Sequence, residues 1–106
     1  PYATLVSEIM LQQTQTERVV PKYEAFLAAF PDIASLAAAE PLEVLRYWQG
    51  LGYNRRGLAL QRAAQAIMTH HDGMVPHDDV ALRALPGIGP YTAGAVRAFA
   101  YNEPGS

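Results

Sequence analysis

The stretch Leu85-Pro86-Gly87-Ile88-Gly89-Pro90-Tyr91-Thr92-Ala93-Gly94 decides how this chain is read. Two helices meet at Pro86-Gly87-Ile88-Gly89, and Pro90 suits the first position of the second helix. Gly87 and Gly89 allow positive φ and let another backbone approach with no Cβ in the way. Ile88, between them, is placed to plug into the core and pin the joint. The helix that follows aims free N–H groups and its positive dipole end outward, which suits a phosphate. Taken alone, Pro-Gly-x-Gly is also an ordinary tight turn between helices. The flanking Leu85 and the small run Thr92-Ala93-Gly94 weigh against that plain turn. Gly94 inside a helix costs about 1 kcal/mol relative to Ala, and close packing against the preceding helix would account for it.

Outward from the hairpin, apolar residues recur at spacings of three and four and no stretch alternates, so the prediction is an all-α chain. A first helix over about 2–12 carries Leu5, Val6, Ile9 and Met10 as its apolar stripe. Thr14 and Glu17 have the spacing of a capping box. A second helix over about 15–30 turns Val19, Tyr23, Phe26, Leu27 and Phe30 inward, with Pro21 in its second turn and Pro31 as its stop. The chain must then turn sharply at Gln12-Gln13-Thr14, leaving amide side chains on a corner. Asp32 caps a short helix through Ala39, and Pro41 opens another through Trp48. A long helix over about 55–71 follows the break at Gly50-Leu51-Gly52. Asp78 caps a helix through Leu85, and the last runs from Pro90 to about Tyr101. The expectation is a compact helical bundle, one domain over 1–106.

Composition sets the outer limits. At 106 residues and 50% hydrophobic, the chain has enough apolar mass for one core. It holds no cysteine, which excludes disulfides, thiolate metal sites and cysteine nucleophiles within these residues. The formal net charge is −2, so any affinity for nucleic acid must come from local arrangement. No apolar run approaches the roughly 18 residues of a membrane span, and a soluble, cytoplasmic protein is expected. His70 and His71 are adjacent and point different ways, and no third ligand is spaced with them, so no metal is expected. Both ends read as abrupt, as an excerpt of something longer would.

With the hairpin in place, two further segments gain meaning. The hairpin itself resembles the helix-hairpin-helix DNA-binding motif. Val6-Ser7-Glu8-Ile9-Met10-Leu11-Gln12-Gln13-Thr14 closely resembles a segment of adenine DNA glycosylases, and Trp48-Gln49-Gly50-Leu51-Gly52-Tyr53 resembles another. All three stand in that family's order and cover essentially the whole chain. The resemblance implies a six-helix barrel of the endonuclease III superfamily, ending in a helix-hairpin-helix at about 78–101. It also implies removal of a mispaired adenine from duplex DNA, and in a bacterium a place at the nucleoid.

The same resemblance implies roles. Glu8 is the acid that protonates the flipped adenine; a carboxyl does this near neutral pH only when burial favours its protonated form. Read without the family, Glu8 is an ordinary helix glutamate. Gln12, Gln13 and Thr14 correspond to a wedge that enters the base stack, although helix-end solvation and capping explain them too. Tyr91 stands where the endonuclease III branch carries the lysine that forms a Schiff base. The sole lysine, Lys22, lies far from every motif, so a monofunctional enzyme without lyase activity is expected. Tyr91 is either an active-site tyrosine or hairpin packing. Gly87, Ile88, Gly89 and Thr92 hold a phosphate. Arg55 and Arg56 sit in a first helical turn, where the dipole disfavours cations by some 0.3–1 kcal/mol; either a phosphate offsets that cost or the pair is merely solvated. Tyr53 stacks on a base or fills the core.

Two departures from the pattern stand out. Asn54 replaces a second tyrosine, which leaves the opposite base open between 8-oxoguanine and guanine and admits a related thymine or uracil glycosylase. The family's catalytic aspartate falls beyond Ser106, as does its cysteine-ligated iron–sulfur cluster, so these residues alone are expected to show no turnover. A non-catalytic helix-hairpin-helix module, or a bundle that binds no nucleic acid, remains an alternative on the residues themselves.

Overall fold

A long helix, α5 (Asn54–His70), carries the face against which much of the chain packs. In a computed structural model, residues 2–12, 15–52, 54–76 and 78–100 are described, apart from the side chains of 99 and 100. Helix α5 buries Gly57, Leu60, Gln61, Ala63, Ala64 and Ile67, a stripe with helical spacing in which half the residues are glycine or alanine. Small residues allow close approach: a Cβ on Gly57 would lie 3.0 Å from Cδ2 of Trp48. Around it run α1 (Tyr2–Leu11), α2 (Thr16–Ala29), α3 (Ile33–Ala38) and α4 (Pro41–Trp48). They are followed by α6 (Asp79–Arg83) and α7 (Pro90–Ala95), which continues into a π-helical turn (Val96–Ala100). No strand occurs among the described residues, as the periodicity predicts.

The stripe predicted for α1 is the one buried: Leu5, Val6, Ile9 and Met10. On α2, Val19 and Phe26 are buried and Tyr23 and Leu27 partly so. Phe26, Phe30, Tyr47 and Trp48 meet edge-to-face, with centroids 5.0 to 6.0 Å apart, a geometry their ring quadrupoles favour. The Tyr2 hydroxyl donates to the Phe30 carbonyl at 2.6 Å and ties the start of α1 to the end of α2. The buried apolar residues form one contiguous cluster.

Local differences from the sequence-based expectation have physical reasons. Helix α2 continues through Pro21, near enough to its start that few intrahelical bonds are affected. Its N-cap is Gln15, with no side-chain bond, rather than the expected Thr14; Thr14 lies outside the described residues. The capping box found is at Asp32, whose carboxylate accepts from Ser35 N at 2.8 Å while the Ser35 hydroxyl accepts from Asp32 N. Asp78 caps α6 as expected, accepting from Ala81 N at 3.0 Å. The last helix starts at Pro90 as expected; it widens from Val96, and that turn packs against α1.

Three glycines of the hairpin region divide. Gly87 has φ +77, and a Cβ there would lie 3.0 Å from Cβ of Ala59, so both conformation and approach demand glycine. Gly89 has φ −98, not the positive value expected, and a Cβ there would meet nothing within 4 Å. Gly94 likewise has open space, which corrects the expectation of close packing. Ile88 is buried and pins the joint from inside.

Candidate functional site

The fold brings the end of α1, the start of α5 and the hairpin to one place. Gln12 donates from Nε2 to Oγ1 of Thr92 at 3.1 Å, across 80 positions of sequence. Beside that bond lies a cleft of about 190 Å³ lined by Ile9, Gln12, Arg55, Arg56, Ala59 and Gly87. Glu8 precedes Gln12 by one helical turn, so it shares that side of α1, and it is half-buried. Its neighbours Leu5 and Ile9 are in the core.

Arg56 is neither solvated nor turned outward. Its Nη1 donates to the carbonyls of Ile9 at 2.7 Å and Met10 at 3.4 Å, and to that of Gln12. Its guanidinium also stands over the Trp48 ring, 5.7 Å from the centroid. The last carbonyls of a helix lack intrahelical donors and carry the negative end of its dipole. The cation that costs α5 at its start therefore serves α1 at its end. Arg56 was expected to hold a phosphate or to be solvated; it caps a helix within the fold instead. Arg55, its neighbour, is exposed and lines the cleft.

Adjacent residues of α7 face opposite ways. Tyr91 is 80% exposed, which removes hairpin packing as its role, while Thr92 is 2% exposed with its hydroxyl on Gln12. Thr92 thus acts inside the fold, pinning the hairpin to α1. Gly89 is the N-cap of α7, and no side chain stands in front of it. Gln13, Thr14 and Tyr53, three of the predicted site residues, lie outside the described residues.

The residues present do not fit an iron–sulfur cluster, since the chain has no cysteine. Among the described residues no three His, Cys, Asp or Glu side chains gather as a metal site. No helix there is long and apolar enough to cross a membrane. Sequence reasoning missed the partnership of Gln12 with Thr92 and the inward turn of Arg56. A cation in a first helical turn was the available signal for Arg56, though it did not say which oxygens would answer it.

Comparison with known proteins identifies the family. Residues 6–96 match the HhH-GPD superfamily base excision DNA repair protein family. An adenine DNA glycosylase of Mycolicibacterium smegmatis is 50% identical over 97 residues, which are 92% of this chain and 33% of that protein. The Homo sapiens adenine DNA glycosylase is 41% identical over 103 residues, covering 96% of this chain and 19% of that protein. The chain thus spans a third or less of these relatives. A thermostable thymine-DNA glycosylase superposes with a TM-score of 0.91 at 28% identity, covering 97% of this chain and 48% of that one. A trapped endonuclease III–DNA intermediate shares the fold, with a TM-score of 0.89 at 22% identity over 95% of this chain and 48% of that one. This chain belongs to the HhH-GPD superfamily of base excision DNA repair proteins.

Proposed function

We propose that these residues form the DNA-facing helical part of a monofunctional adenine DNA glycosylase acting on a mispaired adenine in duplex DNA. The carrying observation is the Gln12–Thr92 bond, which locks the helix bearing Glu8 to the hairpin beside a cleft that Ile9, Gln12 and Gly87 line. In this reading the hairpin backbone at 87–89 grips a phosphate while the corner after Gln12 probes the stack. Gly89 supports it, because open space in front of an N-cap admits a phosphate oxygen. The adenine is flipped, since its reacting bond is out of reach inside a duplex.

Glu8 then donates a proton to an adenine ring nitrogen. The bond between base and sugar breaks with its electron pair leaving on adenine, and water adds to the sugar carbon as its proton passes to the Glu8 carboxylate, which restores the acid. Half-burial beside Leu5 and Ile9 gives Glu8 a drier setting than a surface glutamate has. Tyr91 is exposed at the mouth of the hairpin, where a lyase would present an amine, so hydrolysis without strand cleavage is the expected outcome. The relatives named adenine DNA glycosylase favour adenine over thymine, and the opposite base is taken to be 8-oxoguanine or guanine.

The test is single-turnover adenine release by the intact protein from an adenine·8-oxoguanine duplex, alongside Glu8→Gln. Release should collapse in the variant while duplex affinity persists. Equal rates in the two proteins would overturn the role of Glu8. Release of thymine but not adenine would overturn the substrate.

A further inference from the structure

The chain is net negative, yet its cations are not scattered. Arg18 and Arg46 line an open groove of about 710 Å³ beside the turn between α4 and α5, together with Gln49, Gly50, Gly52 and Asn54. That lining holds two guanidiniums and no carboxylate. Lys22, expected to lie far from every motif, instead flanks it, because α2 packs beside the turn after α4: a Cβ on Gly50 would lie 3.6 Å from its Cε. Gly50 and Gly52 have φ of +91 and +76, and in front of Gly52 there is open space. The turn therefore offers bare backbone at Gly52, in the same groove as the two arginines.

Two observations point to an anion. Arg18 lies in the first turn of α2, a 14-residue helix whose positive end disfavours a cation. Among the described residues Arg46 pairs with Glu43 at 3.3 Å, an exposed ion pair of the kind that contributes little. The groove also adjoins the hairpin cleft without overlapping it. Asn54 lines the groove and Arg55 lines the cleft, so consecutive residues at the start of α5 divide them. A polyanion crossing that helix end meets both.

We propose that Arg18 and Arg46, with the glycine turn between them, form a second phosphodiester-binding site for duplex DNA, separate from the hairpin. The site rests on the DNA-binding reading above and extends its footprint past the start of α5. It sets affinity and register and takes no part in the chemistry, because phosphate contacts position a duplex without reading it.

The experiment is a salt titration of binding to a fluorescent duplex by the intact protein, Arg18→Gln/Arg46→Gln, and Arg62→Gln as an exposed control on α5. Each phosphate contact contributes about 0.9 to the slope of log affinity against log salt. The double variant should lose between about one and two units of slope. The Arg62 variant should match the unaltered protein. A slope unchanged in the double variant would overturn the groove, as would an equal loss in the Arg62 variant, which would mean bulk charge alone. Charge reversal at both positions, Arg18→Glu/Arg46→Glu, should weaken binding further, and failure to do so counts equally against it. If the unaltered protein binds no duplex in a salt-dependent way, the DNA-binding reading itself fails.

Discussion

Nη1 of Arg56 lies 2.7 Å from the carbonyl oxygen of Ile9, 47 positions earlier in the chain. One guanidinium thereby closes the end of α1 from the start of α5, and it holds the carbonyl of Gln12 as well. Replacing Arg56 by Ala should cost about 1.5–3 kcal/mol, the range for hydrogen bonds that involve a charged group. Arg56→Lys should recover part of this, because an ammonium keeps the charge but lacks the planar fork. Urea denaturation of the three proteins checks the order. Equal midpoints would show that the cap contributes nothing.

Thr92 and Gln12 form the second tie between α1 and the hairpin, and the two residues can be removed separately. Gln12→Ala, Thr92→Val and the double variant make a thermodynamic cycle, whose coupling should be about 0.5–1.5 kcal/mol for one neutral hydrogen bond. Additive effects would mean that the bond is not made in solution. Thr92→Val keeps the buried volume and deletes only the hydroxyl. It should therefore lower adenine release more than it lowers the melting temperature, if the tie positions the corner.

The sequence shows the helices and the hairpin plainly because those depend on local signals. Apolar spacing marked the stripe of α1, Pro41 and Asp78 marked helix starts, and Pro-Gly-Ile-Gly marked the joint. It was silent on partnerships made across long separations. Gln61, to which the sequence assigned no role, is 3% exposed, and its Nε2 donates to the carbonyls of Leu36 at 3.2 Å and Ala39 at 2.6 Å. Like Arg56, it lends α5 as a donor to another helix's last turn. Such roles depend on which carbonyls the fold leaves orphaned, and that is settled only once the helices are packed. Gly89 and Gly94 were misread for the related reason that a glycine's neighbours in space are not its neighbours in sequence.

Gly87 and Gly94 should therefore respond oppositely to the same change. At Gly87, alanine meets a positive φ of +77 and a contact of 3.0 Å with Ala59, so Gly87→Ala should destabilise by more than about 1 kcal/mol. At Gly94, a Cβ enters open space within a helix, and Gly94→Ala should stabilise by roughly 0.5–1 kcal/mol. Thermal melting of both variants decides between them. A destabilised Gly94→Ala would mean that the helix there is not as drawn. If Gly94→Ala gains stability and yet loses adenine release, the open space at that position is room that the bound duplex needs, and the stability forgone at Gly94 is explained by function.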